Sequence, residues 1–83
     1  MDVTIGGKKF QLTKEHVQAR IKGVQPDRVQ IYGVEVRGKI YPCKQALALA
    51  TGLPRAKFNA HQAYRVLERL GLRVVTVSDQ DRH

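Results

Sequence analysis

His61, Arg65 and Arg69 recur at four-residue intervals, so a helix would stack them along one face at steps of about 6 Å. Three donors in such a row suit successive phosphate oxygens along a groove. The same spacing also fits a solvated face, with Arg65 and Glu68 paired three residues apart for a few tenths of a kcal/mol. Upstream, Arg55 and Lys57 sit just before Phe58. Two cations beside a ring can grip phosphate and stack on a base, or Phe58 can close the core ahead of the next helix. The densest motif is Gly38-Lys39-Ile40-Tyr41-Pro42-Cys43-Lys44, a basic turn running into a Tyr-Pro pair at a helix start. Free N–H groups at that start suit phosphate, and Tyr41 and Pro42 would add a rigid apolar wall or lock the junction.

These pieces share one charged stretch. Arg37 to Arg73 holds eight basic residues against a single acid, Glu68, which is +7 of the chain's net +8. Self-repulsion works against such segregation in a compact fold. It points to a polyanionic partner, of which nucleic acid is the commonest, although a solvated basic surface would carry the same charge. An anionic membrane surface is a poorer fit, because the apolar faces are narrow and needed for the core.

Other chemistries find little support. Cys43, near a helix start and beside Lys44, could have a lowered pKa, but no histidine or acid lies close in sequence to form a dyad, and a buried thiol fits as well. Glu15, Glu35 and Glu68 are isolated, and no glycine-rich phosphate loop is present. Histidines at 16, 61 and 83 with one cysteine match no zinc pattern. Neither catalysis, nor a metal, nor a cofactor is expected. With 83 residues, 42% of them apolar, the chain makes one domain. No apolar run approaches the roughly 20 residues needed to span a bilayer, no signal peptide follows Met1, and a lone cysteine suits a reducing cytoplasm.

The elements that must position these residues read in order. Val3 to Ile5, Gly6-Gly7 and Phe10 to Leu12 form a hairpin. Thr13 caps a helix to about Lys22 with Val17 and Ile21 inward, ended by Gly23. Pro26-Asp27 breaks the chain before a strand from Arg28 to Arg37, where Val29 and Ile31 alternate and Val34 and Val36 resume out of phase. That shift predicts a bulge or tight turn at Gly33. Arg37-Gly38-Lys39 turns into Ile40-Tyr41, and Pro42 opens the first turn of a helix bearing Ala46, Leu47, Leu49 and Ala50, which stops at Gly52. Asn59 and Gln62 form a capping-box pattern before the stripe Ala63, Val66, Leu67 and Leu70, and Gly71 ends it. Leu72 to Val77 reads as a strand buried on both faces. The expected fold is α+β, order ββαββααβ, with one domain over 1–77 and a frayed polar tail over 78–83.

Gly-x-x-Tyr-Pro-x-Lys at a hairpin-to-helix junction resembles the sulfur-binding domain of McrA-type restriction enzymes, which recognise phosphorothioate-modified DNA. The resemblance implies that Tyr41 and Pro42 border an apolar sulfur pocket, with Lys44 nearby. Cys43 stands where that family has a second proline, and Gln45 where it has a small apolar residue. The longer pattern Tyr-Pro-x-Lys-Gln, Ala-Thr-Gly-Leu and His-Gln-Ala-x-x-Val-Leu-x-x-Leu-Gly, over Gly38 to Leu72, resembles a group of short uncharacterised actinobacterial proteins and implies no activity. Leu47 to Gly71 and the strand after it also look like a winged helix-turn-helix, whose later helix would read the major groove. The turn from Gly52 to Asn59 is longer than usual for that motif.

Together these features predict a small module binding nucleic acid, double-stranded DNA in the first place, with a possible sensitivity to backbone modification. Lys39, Lys44, Arg55, Lys57, Arg65 and Arg69 would contact phosphates, Tyr41 and Pro42 would shape the surface, and His61 would assist. The alternatives are a subunit docking an acidic protein through the same face, and a winged-helix regulator.

Overall fold

A computed structural model describes residues 1–28 and 32–76. Strands β1 (Asp2–Ile5) and β2 (Lys8–Gln11) pair antiparallel about the Gly6-Gly7 turn. Both glycines take positive φ, 59° and 82°, as a two-residue hairpin turn requires. Val3, Ile5 and Leu12 point into the core.

Helix α1 (Lys14–Ile21) starts where the Thr13 hydroxyl accepts from the His16 backbone N–H at 3.0 Å. Its buried residues are Val17 and Ile21, the two the sequence placed inward. Its outer turns reach across to the end of helix α2 (Cys43–Thr51). There His16 Nε2 donates to the Ala50 carbonyl at 3.0 Å, and Arg20 Nε donates to the Leu49 carbonyl at 3.2 Å.

A three-stranded antiparallel sheet follows, in the order β4–β3–β5, from β3 (Tyr32–Val36), β4 (Lys39–Pro42) and β5 (Arg73–Thr76). Arg37 (φ 55°) and Gly38 (φ 81°) make the tight turn between β3 and β4. The ladder runs unbroken through Gly33, which faces Pro42 on one side and Val75 on the other. The expected bulge is therefore absent from the described part of this strand. Tyr32, Val34 and Val36 alternate regularly toward the helices, and Val29 and Ile31, which set the apparent phase shift, lie outside the described residues.

Pro42 is the last residue of β4 and the N-cap of α2, one position earlier than expected (φ −57°, ψ 137°). Helix α2 is the hub of the fold: it packs on α1, on α3 (Ala60–Arg69) and on the sheet, and buries Ala46, Leu47 and Ala50. A 3-10 turn over Arg55–Lys57 links α2 to α3. Asn59 caps α3, its side-chain oxygen accepting from the Gln62 N–H at 2.7 Å. Helix α3 lies over β3 and β5 with Ala63 and Leu67 fully buried.

Strand β5 differs from the expected doubly buried strand. It is a sheet edge, pairing with β3 alone, so Arg73 and Thr76 are exposed and Val74 and Val75 only half-buried. Val77 and the tail 78–83 lie outside the described residues. The fold is α+β with the element order ββαββααβ.

Candidate functional site

The Tyr-Pro-x-Lys-Gln motif has a structural centre and an exposed rim. Tyr41 is 3% exposed, and its hydroxyl donates to the Val24 carbonyl at 2.8 Å. It therefore lines no surface, contrary to the expectation that it shapes one. The cause is its register: Tyr41 opposes Val34 on β3, and side chains at paired positions share a face, here the face under the helices. Gln45, 5% exposed, accepts from the Asp27 N–H at 2.8 Å and donates to the Gln25 carbonyl at 3.0 Å. Tyr41 and Gln45 thus pin the 24–27 loop from two elements. Replacing Gln45 by alanine strips both partners from that loop and is expected to destabilise the fold by about 1–3 kcal/mol, measurable by urea denaturation. Gln45→Glu, which keeps the acceptor but sets a buried carboxylate oxygen against the Gln25 carbonyl, should cost at least as much as alanine at neutral pH.

The pinned loop leads to Arg28 and holds Asp27 against Arg55. The Asp27 carboxylate and Arg55 guanidinium form an ion pair, each side chain 49% exposed. An exposed pair of this kind contributes at most about 1 kcal/mol, so it orients Arg55 without locking it. Beside it opens a groove of about 240 Å³ lined by Arg28, Tyr32, Pro42, Lys44, Arg55 and Ala60, with Cys43 at its floor. The groove meets the start of α2, which carries no side-chain cap and no acid in its first turn.

Tyr32 links this groove to α3. Its ring stacks on Tyr64 with centroids 4.8 Å apart and planes 11° from parallel. His61 leans on both, 6.3 Å from Tyr32 and 6.0 Å from Tyr64. The Tyr64 hydroxyl donates to Glu68 at 3.3 Å. The neighbouring carboxylate, through its charge and this bond, raises the Tyr64 pKa above the ordinary tyrosine value. Glu68 thus turns to Tyr64 rather than to Arg65. Beyond His61 a shallower groove of about 370 Å³ runs along α3 between Asn59, His61, Gln62, Arg65, Val66 and Arg69. Among the described residues, neither groove has a carboxylate in its wall.

The folded chain therefore joins the α3 face, complete, to one cation from each of the other two basic pieces. Lys44 and Arg55 meet in the first groove, and His61, Arg65 and Arg69 share the second, with Tyr32 and His61 between them. Lys39 stands at the far end of β4 beside the Arg37-Gly38 turn and lines neither groove. Lys57 lies with its stem near Gly6 in the first hairpin and also lines neither. Phe58 is a core residue, 5% exposed, so the aromatic that lines the groove beside Arg55 is the half-buried Tyr32.

The whole chain, residues 1–83, matches the family defined as SCO5918-like. The chain belongs to that family. No curated protein and no solved structure matches it. The match is to an uncharacterised family and spans the whole chain, not the Gly38 to Leu72 pattern in particular. The buried Tyr41 leaves the sulfur-pocket comparison without its tyrosine at the surface.

The Cys43 thiol is 1% exposed, and burial pushes its pKa from the ordinary 9.0 up to about 12. That is the reverse of the activation a helix start could give. Among the described residues no group of three or more His, Cys, Asp or Glu side chains could hold a metal, and no helix is long and apolar enough to cross a membrane.

Proposed function

We propose that this chain is a small nucleic-acid-binding module that engages double-stranded DNA through the side formed by the start of α2, the Arg55 turn and the polar face of α3. The observation carrying this reading is the pair of adjoining grooves walled by Arg28, Lys44, Arg55, His61, Arg65 and Arg69 without a carboxylate among the described residues. Phosphates are the ligand such walls favour, since arginine forks and lysine points both bind phosphate oxygens. Arg55 can exchange Asp27 for a phosphate at small cost, because both partners of that pair are half-exposed.

The test is a salt titration of duplex binding. Four or five neutralised phosphates require log K to fall against log salt with a slope of about −3 to −5, or about 100-fold between about 50 and about 200 mM. Lys44→Ala and Arg65→Ala should each flatten the slope by about 1, whereas Lys39→Ala and Lys57→Ala should leave it unchanged. A flat salt response overturns the reading. So does an equal loss of slope from all four variants, which would mean diffuse charge rather than a site.

A further inference from the structure

The first groove differs from a plain phosphate track in having an aromatic wall. Tyr32 comes from the end of the central strand β3 and is backed by Tyr64 from α3 in a near-parallel stack. Tyr64 itself does not line the groove, so it acts as a backing that fixes the Tyr32 ring. Around this ring stand Arg28, Lys44 and Arg55, and Pro42 and Ala60 complete an apolar lining. At about 240 Å³ the space is smaller than the roughly 300–1,000 Å³ typical of drug-sized ligand sites. It suits a flat group of one or two rings with phosphates at its edge.

Resting on the nucleic-acid reading above, we infer that this groove takes one unpaired base of DNA, stacked on the Tyr32 ring, while Lys44 and Arg55 hold the phosphates flanking it. Paired bases keep both faces covered by their neighbours in the duplex, so only a base out of the stack offers a free face to an aromatic side chain. Stacking is tolerant of base identity because every base has a π-face, so the site reads unpairing rather than sequence. The division of labour is physical. The cations of both grooves hold the backbone of any duplex, and Tyr32 adds affinity only where a base is free.

The experiment compares a short DNA duplex carrying one looped-out 2-aminopurine with the same duplex fully paired. The looped-out DNA should bind more tightly, and its 2-aminopurine fluorescence should fall on binding as the base stacks. Tyr32→Leu, which keeps bulk and loses the π-face, should erase roughly 5- to 150-fold of affinity for the looped-out DNA and none for the paired duplex. Tyr32→Phe should retain the preference, which separates stacking from any loss through misfolding. Equal affinity for the two DNAs together with unchanged 2-aminopurine fluorescence overturns the base site and leaves the phosphate-binding reading standing. Absence of binding to both DNAs at low salt overturns that underlying reading, and the base site with it.

Discussion

Leu47→Ala is expected to be the most damaging single truncation, lowering unfolding free energy by about 2–5 kcal/mol. Leu47 is 0% exposed in the helix that touches α1, α3 and the sheet together, so no neighbour can collapse into the space without moving a second element. A domain of 83 residues has a total stability of roughly 4–12 kcal/mol at about 0.05–0.15 kcal/mol per residue. The loss is a large share of that. Thermal unfolding followed by circular dichroism should show the midpoint falling by at least about 10 °C. Leu47→Met, which conserves volume, should cost less than about 1.5 kcal/mol. Equal losses in the two variants would mean that α2 does not form the hub described.

The second large effect is on alkaline stability. Burial raises the Cys43 pKa in the folded chain to about 12, against an ordinary value of 9.0. Below pH 9 the thiol is protonated in both folded and unfolded chains and its contribution to stability is fully present. Above pH 9 the unfolded chain releases the proton and the folded chain retains it, so this contribution declines as pH rises toward 12, by about 1.4 kcal/mol per pH unit at the steepest. Urea denaturation of wild type and Cys43→Ala at pH 8, 9.5 and 10.5 isolates the effect, because every other titrating group is common to both. The wild type should lose stability faster across the series. Parallel curves would show that the folded thiol ionises as readily as the unfolded one. The same burial predicts slow reaction with alkylating reagents under native conditions.

The elements most legible in the sequence were those specified by neighbours along the chain. Thr13 and Asn59 each bond a backbone N–H three residues on, and each marks a helix start where the residues alone placed it. The turns at Gly6-Gly7 and Arg37-Gly38 were local as well. What escaped was set by contacts distant in sequence. Tyr41 looked like a surface residue because Pro42 and Lys44 flank it, yet its partner is Val24, on a loop 17 residues earlier. Gln45 stood out only as a departure from the small apolar residue of the sulfur-binding domain, and only the 24–27 loop gives its amide two partners. The edge position of β5 followed from strand order, which the alternation of apolar residues does not encode.

The aromatic part of the candidate site was hidden for the same reason. Tyr32 and Tyr64 stand far apart in the sequence and meet because α3 lies across β3. A partial signal existed in the helix itself. Tyr64 flanks the apolar stripe, next to Arg65, and packs only partly against the core. Charge was legible as an amount and as a segment, but its division between the grooves and the outlying Lys39 and Lys57 required the folded backbone.

The contacts that α1 makes with the last turn of α2 also have an electrostatic consequence. His16 and Arg20 occupy the Ala50 and Leu49 carbonyls, the oxygens that carry the negative end of the α2 macrodipole. Cationic Arg20 and an imidazole N–H therefore offset that end, whereas the positive end at Cys43 to Gln45 has no acidic residue against it in its first turn. The helix behaves toward its surroundings less as a balanced dipole than as a single fractional positive charge, and that charge faces the Tyr32 groove.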